Sequence, residues 1–120
     1  MTTLHRALRR PLPPRRPSLT VTTDWNGHPL AVTVGLYPDG SPGEVFCDTE
    51  HGGTLQASIA DACVQISLGL QHGIAPADLA KSLGRVPAFV NGAEVDAPAS
   101  PVGAIMAVVL DADKLAGMLE

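Results

Sequence analysis

The stretch that decides the fold runs from Tyr37 to Gly73 and reads YPDGSPGEVFCDTEHGGTLQASIADACVQISLGLQHG. It begins with a Gly- and Pro-rich turn, continues through a short strand-like segment and a glycine pair, and ends in a long run of helix-forming residues. Plotted at 100° per residue, that run has one wide apolar face, made of Leu55, Ile59, Ala62, Cys63, Ile66 and Leu70. The stretch predicts a strand over 44–48, Thr54 as N-cap, and a helix over about 55–72 that Gly73 ends.

A second apolar cluster on the predicted helix lies nearly opposite the first. It consists of Ala57, Val64 and Leu68. A helix with two apolar faces packs on the sheet with one face and on something else with the other. We therefore expect this helix to be central, and the second face to dock either the remaining helices or another protein chain.

Two further strands are predicted on the N-terminal side of this stretch. Residues 18–24 alternate apolar and polar side chains, and so do residues 29–36, in which Leu30, Val32 and Val34 share one face. The pair Asn26-Gly27 between them suits a tight hairpin turn. With the strand over 44–48, these segments predict a three-stranded antiparallel sheet.

The C-terminal side predicts two more helices. Pro76 is suited to the first turn of a short helix that Gly84 ends, and Ser100-Pro101 is suited to the start of a closing helix. The β-branched pair Val108-Val109 leaves a strand as the alternative there. Residues 85–99 are less regular and contain a small hairpin over 89–95. The fold class is therefore α+β: a three-stranded antiparallel sheet packed against a long central helix, plus two further helices.

Composition divides the chain into a basic arm and an acidic domain. The arm, residues 1–17, holds five of the eight basic residues and four prolines, whereas no acidic residue precedes Asp24. We expect a flexible arm over 1–17 and a single domain over 18–120. Clustered arginines suit anionic partners, so Arg9, Arg10, Arg15 and Arg16 are candidates for binding nucleic acid. Aromatic residues make up only 3% of the chain, which argues against a base-stacking platform.

The cysteine pattern and the absence of apolar spans indicate a cytoplasmic protein without a membrane partner. Cys47 and Cys63 lack the paired spacing of a redox or disulfide motif, and no apolar run reaches the length of a membrane span. The N-terminus has arginines but no apolar segment of the kind found in secretory signals.

The residues that commonly carry reactions leave three chemical alternatives. Cys47, His51 and Cys63 are the candidates for a zinc or thiol site, but a second closely spaced ligand pair is missing. A thiol nucleophile would need Cys47 held beside a base such as His51 or His72, which the spacing does not enforce. Gly52-Gly53-Thr54 before a helix suits an anion. We predict no catalytic residue, no metal and no cofactor, and leave a small metal- or thiol-dependent protein as the third hypothesis.

Several segments together resemble the C-terminal accessory domain of adenosylcobalamin-dependent (class II) ribonucleotide reductases, of the TSCPD domain family. These segments are Leu12-Pro13, Arg16-Pro17-Ser18, VGLYPDGSPGEVF over 34–46, Gly53-Thr54-Leu55 and SLGLQHGI over 67–74 with Leu79. They occur in order over roughly residues 9–80. The family's catalytic barrel and paired-cysteine tail have no counterpart here, and the motif that names the family survives only at Thr54.

The resemblance implies a free-standing accessory domain in nucleotide metabolism that is not catalytic alone. The resemblance implies a ribonucleotide reductase catalytic chain as partner, whereas the second apolar face of the predicted helix favours association with further copies of the chain. The candidate family-like binding surface consists of Asp39, Gly40, Pro42, Gly43, Glu44, Gly53, Thr54, Gln71 and His72. The candidate interface is formed by Ala57, Val64 and Leu68. The alternative is a regulatory module that binds nucleic acid or another anion through the arginine-rich arm.

Overall fold

The computed structural model describes residues 8–50 and 52–118, which form one sheet of three strands, one of two strands, and three helices. In chain order the elements are β1 (Ser18–Trp25), β2 (His28–Leu36), β3 (Pro42–Thr49), α1 (Thr54–Gln71), α2 (Pro76–Ala80), β4 (Arg85–Val90), β5 (Ala93–Pro98) and α3 (Pro101–Met118). The larger sheet is antiparallel in the order β1-β2-β3. The predicted α+β class is confirmed.

The β1–β2 hairpin follows from its turn residues and from the alternation of its strands. Asn26 and Gly27 adopt φ values of 49° and 80°, and the pair Trp25–His28 closes the turn. Leu30, Val32 and Val34 of β2 are completely buried on one face of the sheet. The alternation read from the sequence therefore identifies the core face of the central strand.

The core lies between this face of the sheet and the two long helices. Ile59, Cys63, Ile66 and Leu70 of α1 pack into the same cluster as Ile105, Met106 and Val109 of α3. Small residues allow α3 to approach its surroundings closely: a Cβ atom on Gly103 would lie 2.8 Å from the Cβ atom of Pro98. Val108 and Val109 belong to this helix, because its regular three- and four-residue apolar spacing places them on the buried side.

Two local features differ in detail from the expectation. The second hairpin is longer than predicted, since β4 and β5 pair from Arg85–Pro98 to Val90–Ala93. The N-cap of α1 is Gly53, with φ of 84° and no side-chain cap, so Thr54 is instead the first helical residue. None of the helices in the described ranges is long and apolar enough to span a membrane.

Candidate functional site

The outer edge of β3 is covered by side chains of α1, which runs alongside it. The hydroxyl of Ser67 accepts a hydrogen bond from the backbone N–H of Val45 over 3.0 Å. The side-chain amide of Gln56 accepts from the N–H of Thr49 over 2.8 Å and donates to the C=O of Cys47 over 3.1 Å. Helix side chains thus replace a fourth strand, and the edge is protected from pairing with another chain's strand.

Gln71, at the C-terminal end of α1, joins this edge to the arginine-rich arm. Its side chain is buried; its Nε2 donates to the C=O of Gly43 over 3.0 Å, and its Oε1 accepts from Nε of Arg9 over 2.6 Å. Its backbone C=O accepts from the N–H of Arg10 over 2.7 Å. One residue therefore connects the helix, the strand and the arm.

Arg10 continues the contact between the arm and the domain at Tyr37. The guanidinium carbon of Arg10 lies 4.1 Å from the centre of the Tyr37 ring, a cation–π contact. The Tyr37 hydroxyl donates to the C=O of Arg10 over 2.6 Å. Burial raises the pKa of Tyr37, and the positive charge of Arg10 partly opposes that effect. The phenol therefore remains a hydrogen-bond donor at neutral pH.

The arm ends in a two-pronged ion pair between Arg16 and Glu44. Nε and Nη2 of Arg16 donate to the two carboxylate oxygens of Glu44, and Nη1 donates to the C=O of Pro13 over 2.9 Å. The Glu44 side chain is only 10% exposed, so the pair supplies the charge partner that a buried carboxylate needs. Gly35 leaves the space for it, because a Cβ atom there would collide with the Glu44 carboxylate.

These contacts place residues 9–17 against the domain, although the composition of the arm indicated a solvated segment. The sequence could not foresee them because each arginine finds its partner more than 25 residues away in the chain. Arg15 is exposed, and no hydrogen bond or ion pair links it to another residue of the described part of the chain. Among the arm arginines that the structure describes, Arg15 is therefore the one best placed for an external anion.

The β2–β3 turn lies next to the arm and is held by Asp39. Its carboxylate accepts hydrogen bonds from the hydroxyl of Ser41 over 2.6 Å and from the N–H of Ser41 over 2.9 Å. These bonds lower the pKa of Asp39. Gly40, with φ of 88°, completes the turn in a conformation that favours glycine. These bonds and the conformation of Gly40 together define the shape of the turn.

The turn, the arm and the end of α1 enclose a cleft of about 380 Å³, which we call the turn cleft. Its wall includes Arg10, Tyr37, Ser41, Gln71 and His72. Of the predicted family-like surface, Pro42, Gln71 and His72 line it, and the other predicted residues of 39–44 belong to the adjoining turn and the start of β3. Gly53 and Thr54 do not line it, because they lie at the opposite end of α1, whose 18 residues span about 27 Å. The predicted surface therefore divides into two separate regions.

The predicted interface residues remain exposed in the single chain. Val64 is 54% exposed and Leu68 is 37% exposed, and Ala57 is also exposed. The short helix α2 reaches α1 at Gly69, where a Cβ atom would lie 3.1 Å from Leu79. It does not cover Val64. The docking of another chain on this face stays a prediction.

Val64 and Leu68 form one wall of a second cleft, of about 410 Å³, between α1 and β3, which we call the seam cleft. Phe46, 55% exposed, lies on the other wall, and the Ser67 and Gln71 side chains line its base. Sequence reasoning missed Phe46, Gln56 and Ser67. The sequence does contain a polar stripe along α1, made of Gln56, Ser67 and Gln71. This stripe indicates contact with a strand edge only once the helix is known to run beside one.

Both thiols also line the seam cleft, and burial favours their protonated form. Burial and the neighbouring Cys47 raise the pKa of Cys63 to about 11, and burial also raises the pKa of Cys47. A protonated thiol is a weak nucleophile and a weak metal ligand. No group of three metal-ligating side chains occurs within residues 8–50 and 52–118, and His51 lies outside those ranges.

Comparison with known proteins establishes the family. The TSCPD domain family matches residues 5–113, nearly the whole chain. This chain therefore belongs to the TSCPD domain family, and the resemblance seen in the sequence is confirmed. No solved structure matches it.

The curated relatives are vitamin B12-dependent ribonucleotide reductases. The one from Bradyrhizobium diazoefficiens is 36% identical over 67 residues, which are 55% of this chain and 5% of the relative. The one from Rhodopirellula baltica is 36% identical over 72 residues, 59% of this chain and 7% of the relative. The one from Streptantibioticus cattleyicolor is 35% identical over 71 residues, 58% of this chain and 12% of the relative. The chain thus spans only a small part of the length of each.

Proposed function

We propose that this chain is an accessory module, not catalytic on its own, that acts in nucleotide metabolism by binding the catalytic chain of a ribonucleotide reductase. The observation that carries the proposal is its TSCPD membership together with the match to a short segment of vitamin B12-dependent ribonucleotide reductases. A segment that accompanies a catalytic chain in those proteins is suited to contact such a chain here.

The turn cleft is the proposed contact surface. It combines apolar side chains, such as those of Leu70 and Ile74, with the polar groups of Arg10 and Ser41. An apolar centre with a few fixed polar groups is typical of protein recognition. The hydrogen bonds of Asp39 and Gln71 hold the walls in place, which reduces the entropy lost on binding.

The lack of catalysis is proposed from the state of the thiols. Reduction of a ribonucleotide by a dithiol would need thiolates that a partner can reach, whereas Cys47 and Cys63 are buried and their pKa values are raised. We expect the purified protein to reduce no ribonucleotide when vitamin B12 cofactor and dithiol are supplied. Turnover that a Cys47→Ser or Cys63→Ser substitution abolishes would contradict this.

The experiment adds the protein to a vitamin B12-dependent reductase whose own matching segment has been deleted. Nucleotide reduction by the truncated reductase should rise when this protein is supplied as a separate chain. Arg10→Ala should weaken the effect, because it removes a cation from the turn cleft. Arg85→Ala, which removes an exposed arginine from the second hairpin, is the matched control. No change in reduction and no association at any concentration would overturn the proposal.

Binding of nucleic acid through the arm is the alternative function, supported by the exposed Arg15. Arg9, Arg10 and Arg16 already contact groups of the domain, so fewer guanidinium groups remain for phosphates. If the alternative is right, a labelled oligonucleotide should bind, binding should weaken steeply with salt, and Arg15→Ala should reduce it.

A further inference from the structure

We propose that two copies of this chain associate through the seam cleft, related by a two-fold axis, with Arg9 of each copy against Asp48 of the other. This inference is independent of the reductase proposal, since it concerns only the chain itself. In this dimer the exposed face of α1 contacts the second copy, and Phe46, Arg9 and Asp48 belong to the same interface.

The centre of the seam cleft is an apolar patch built from two elements. Phe46 of β3 is 55% exposed, Val64 of α1 is 54% exposed, and Leu68 is 37% exposed, and all three line the same cleft. Single exposed apolar residues are ordinary on protein surfaces, whereas an aromatic and two aliphatic side chains gathered in one cleft are typical of an interface.

The occupant is argued from the charges at the two ends of the cleft. Arg9 lies at the end where Gln71 meets Gly43, and its Nε donates to Gln71. Asp48 lies near the opposite end of β3 and is exposed. Asp48 is five steps along the extended strand from Gly43, a distance of about 16 Å. Glu44 also lines the Arg9 end, but Arg16 balances its charge, so that end is positive overall. The cleft is therefore positive at one end, apolar in the middle and negative at the other end.

Such a surface is complementary to itself. A two-fold axis that lies in the plane of contact and perpendicular to β3 reverses the direction of the cleft in the second copy. It brings the positive end of each copy to the negative end of the other, and it brings the two Phe46 side chains to the same central region. Two-fold dimers are also the commonest closed assemblies of identical chains.

The side chains at the base of the cleft favour this arrangement over strand addition. Gln56, Ser67 and Gln71 already bond to the outer edge of β3, so an added strand would have to displace them. Contact between the walls of two clefts leaves these bonds intact.

Sedimentation equilibrium over a series of protein concentrations provides the test. The wild-type chain should form a dimer. Val64→Glu should give a monomer with an unchanged circular dichroism spectrum, because the exposed position of Val64 makes the substitution compatible with folding. Leu115→Glu changes a similarly exposed residue on α3, 57% exposed, and should leave the dimer intact.

Charge exchange tests the orientation of the two copies. Asp48→Lys and Arg9→Glu should each weaken the dimer by about tenfold or more, since each places like charges together. Combining the two substitutions in one chain should restore most of the affinity, because each end again faces its opposite. A monomeric wild type, or a dimer that Val64→Glu does not affect, would overturn the proposal. If each single variant dimerises weakly and the double variant does not regain affinity, the two-fold arrangement is wrong.

Discussion

The side-chain amide of Gln71 donates a hydrogen bond to the backbone carbonyl of Gly43 over 3.0 Å, joining the last turn of α1 to the beginning of β3. The same amide accepts from Arg9, so the arm, the helix and the edge strand meet at one buried side chain. Gln71 therefore contributes both to the stability of the fold and to the shape of both clefts, since it lines each of them.

Gln71→Glu should destabilise the protein even though the two side chains have the same shape. A carboxylate cannot donate to the carbonyl of Gly43, so a buried acceptor loses its partner and faces a negative charge, a cost of about 1–3 kcal/mol. The free energy of unfolding, measured in urea, tests this. Gln65→Glu, on an exposed position of the same helix, is the control and should change little. Equal stability of the two variants would contradict the role given to Gln71.

Gly43→Ala should loosen the arm. A Cβ atom at residue 43 would lie 2.6 Å from the Tyr37 ring and 2.9 Å from the Leu12 side chain, so one of the two must move. We expect a lower unfolding midpoint and faster proteolysis within residues 8–17. Gly117→Ala has open space near the end of α3 and should not destabilise the protein. If Gly43→Ala is as stable as wild type, the arm does not pack as the structure shows.

Deletion of residues 1–16 distinguishes a flexible arm from a docked one. The composition of the arm predicts almost no loss of stability. The contacts at Gln71, Tyr37 and Glu44 predict a clear fall in the unfolding midpoint, because the buried Glu44 carboxylate loses Arg16.

A double-mutant cycle on Arg16 and Glu44 locates the effect of that deletion. The coupling should exceed that of the more exposed pair Arg85–Asp96, whose side chains are 48% and 70% exposed. An undiminished midpoint after deletion, together with no coupling, would show that the arm is flexible.

Stability should fall in alkaline solution because of Cys63. The ordinary pKa of a cysteine thiol, near 9, applies to the unfolded chain, whereas burial in the folded protein raises the pKa of Cys63 to about 11. Between these values the unfolded chain loses its thiol proton more readily, so unfolding becomes more favourable as pH rises from 9 to 11. The difference in stability between wild type and Cys63→Ala should shrink or change sign over that range. A constant difference from pH 8 to 11 would contradict the burial argument.

The alternation and turn residues of the sequence predict most of the fold. Leu30, Val32 and Val34, with Asn26-Gly27, define the core hairpin, and the spacing of Val102, Ile105, Val109 and Ala112 defines α3. These signals are local, since each depends on residues a few positions apart. They do not depend on how the elements pack against one another.

The candidate site could be predicted only in part because its main contacts are long-range. The partners in each contact are more than 20 residues apart in the chain, as in the pairs Arg16–Glu44 and Ser67–Val45. The sequence around one partner does not identify the other until the position of α1 along β3 is known. The family-like residues around Tyr37–Gly43 and Gln71 do converge, whereas Gly53 and Thr54 lie at the other end of α1. The order of the family-like segments can be read from the sequence, whereas the distances between them in space depend on the fold.

The central claim is that this chain works by binding a reductase catalytic chain, and sedimentation velocity of the two proteins together tests it most directly. The reductase is a vitamin B12-dependent enzyme without its own matching segment, and this protein carries a fluorescent label. The account predicts that labelled protein sediments with the reductase in a saturable manner, and that Arg10→Ala reduces the bound fraction while Arg85→Ala does not. Labelled protein that sediments alone at every reductase concentration would contradict it.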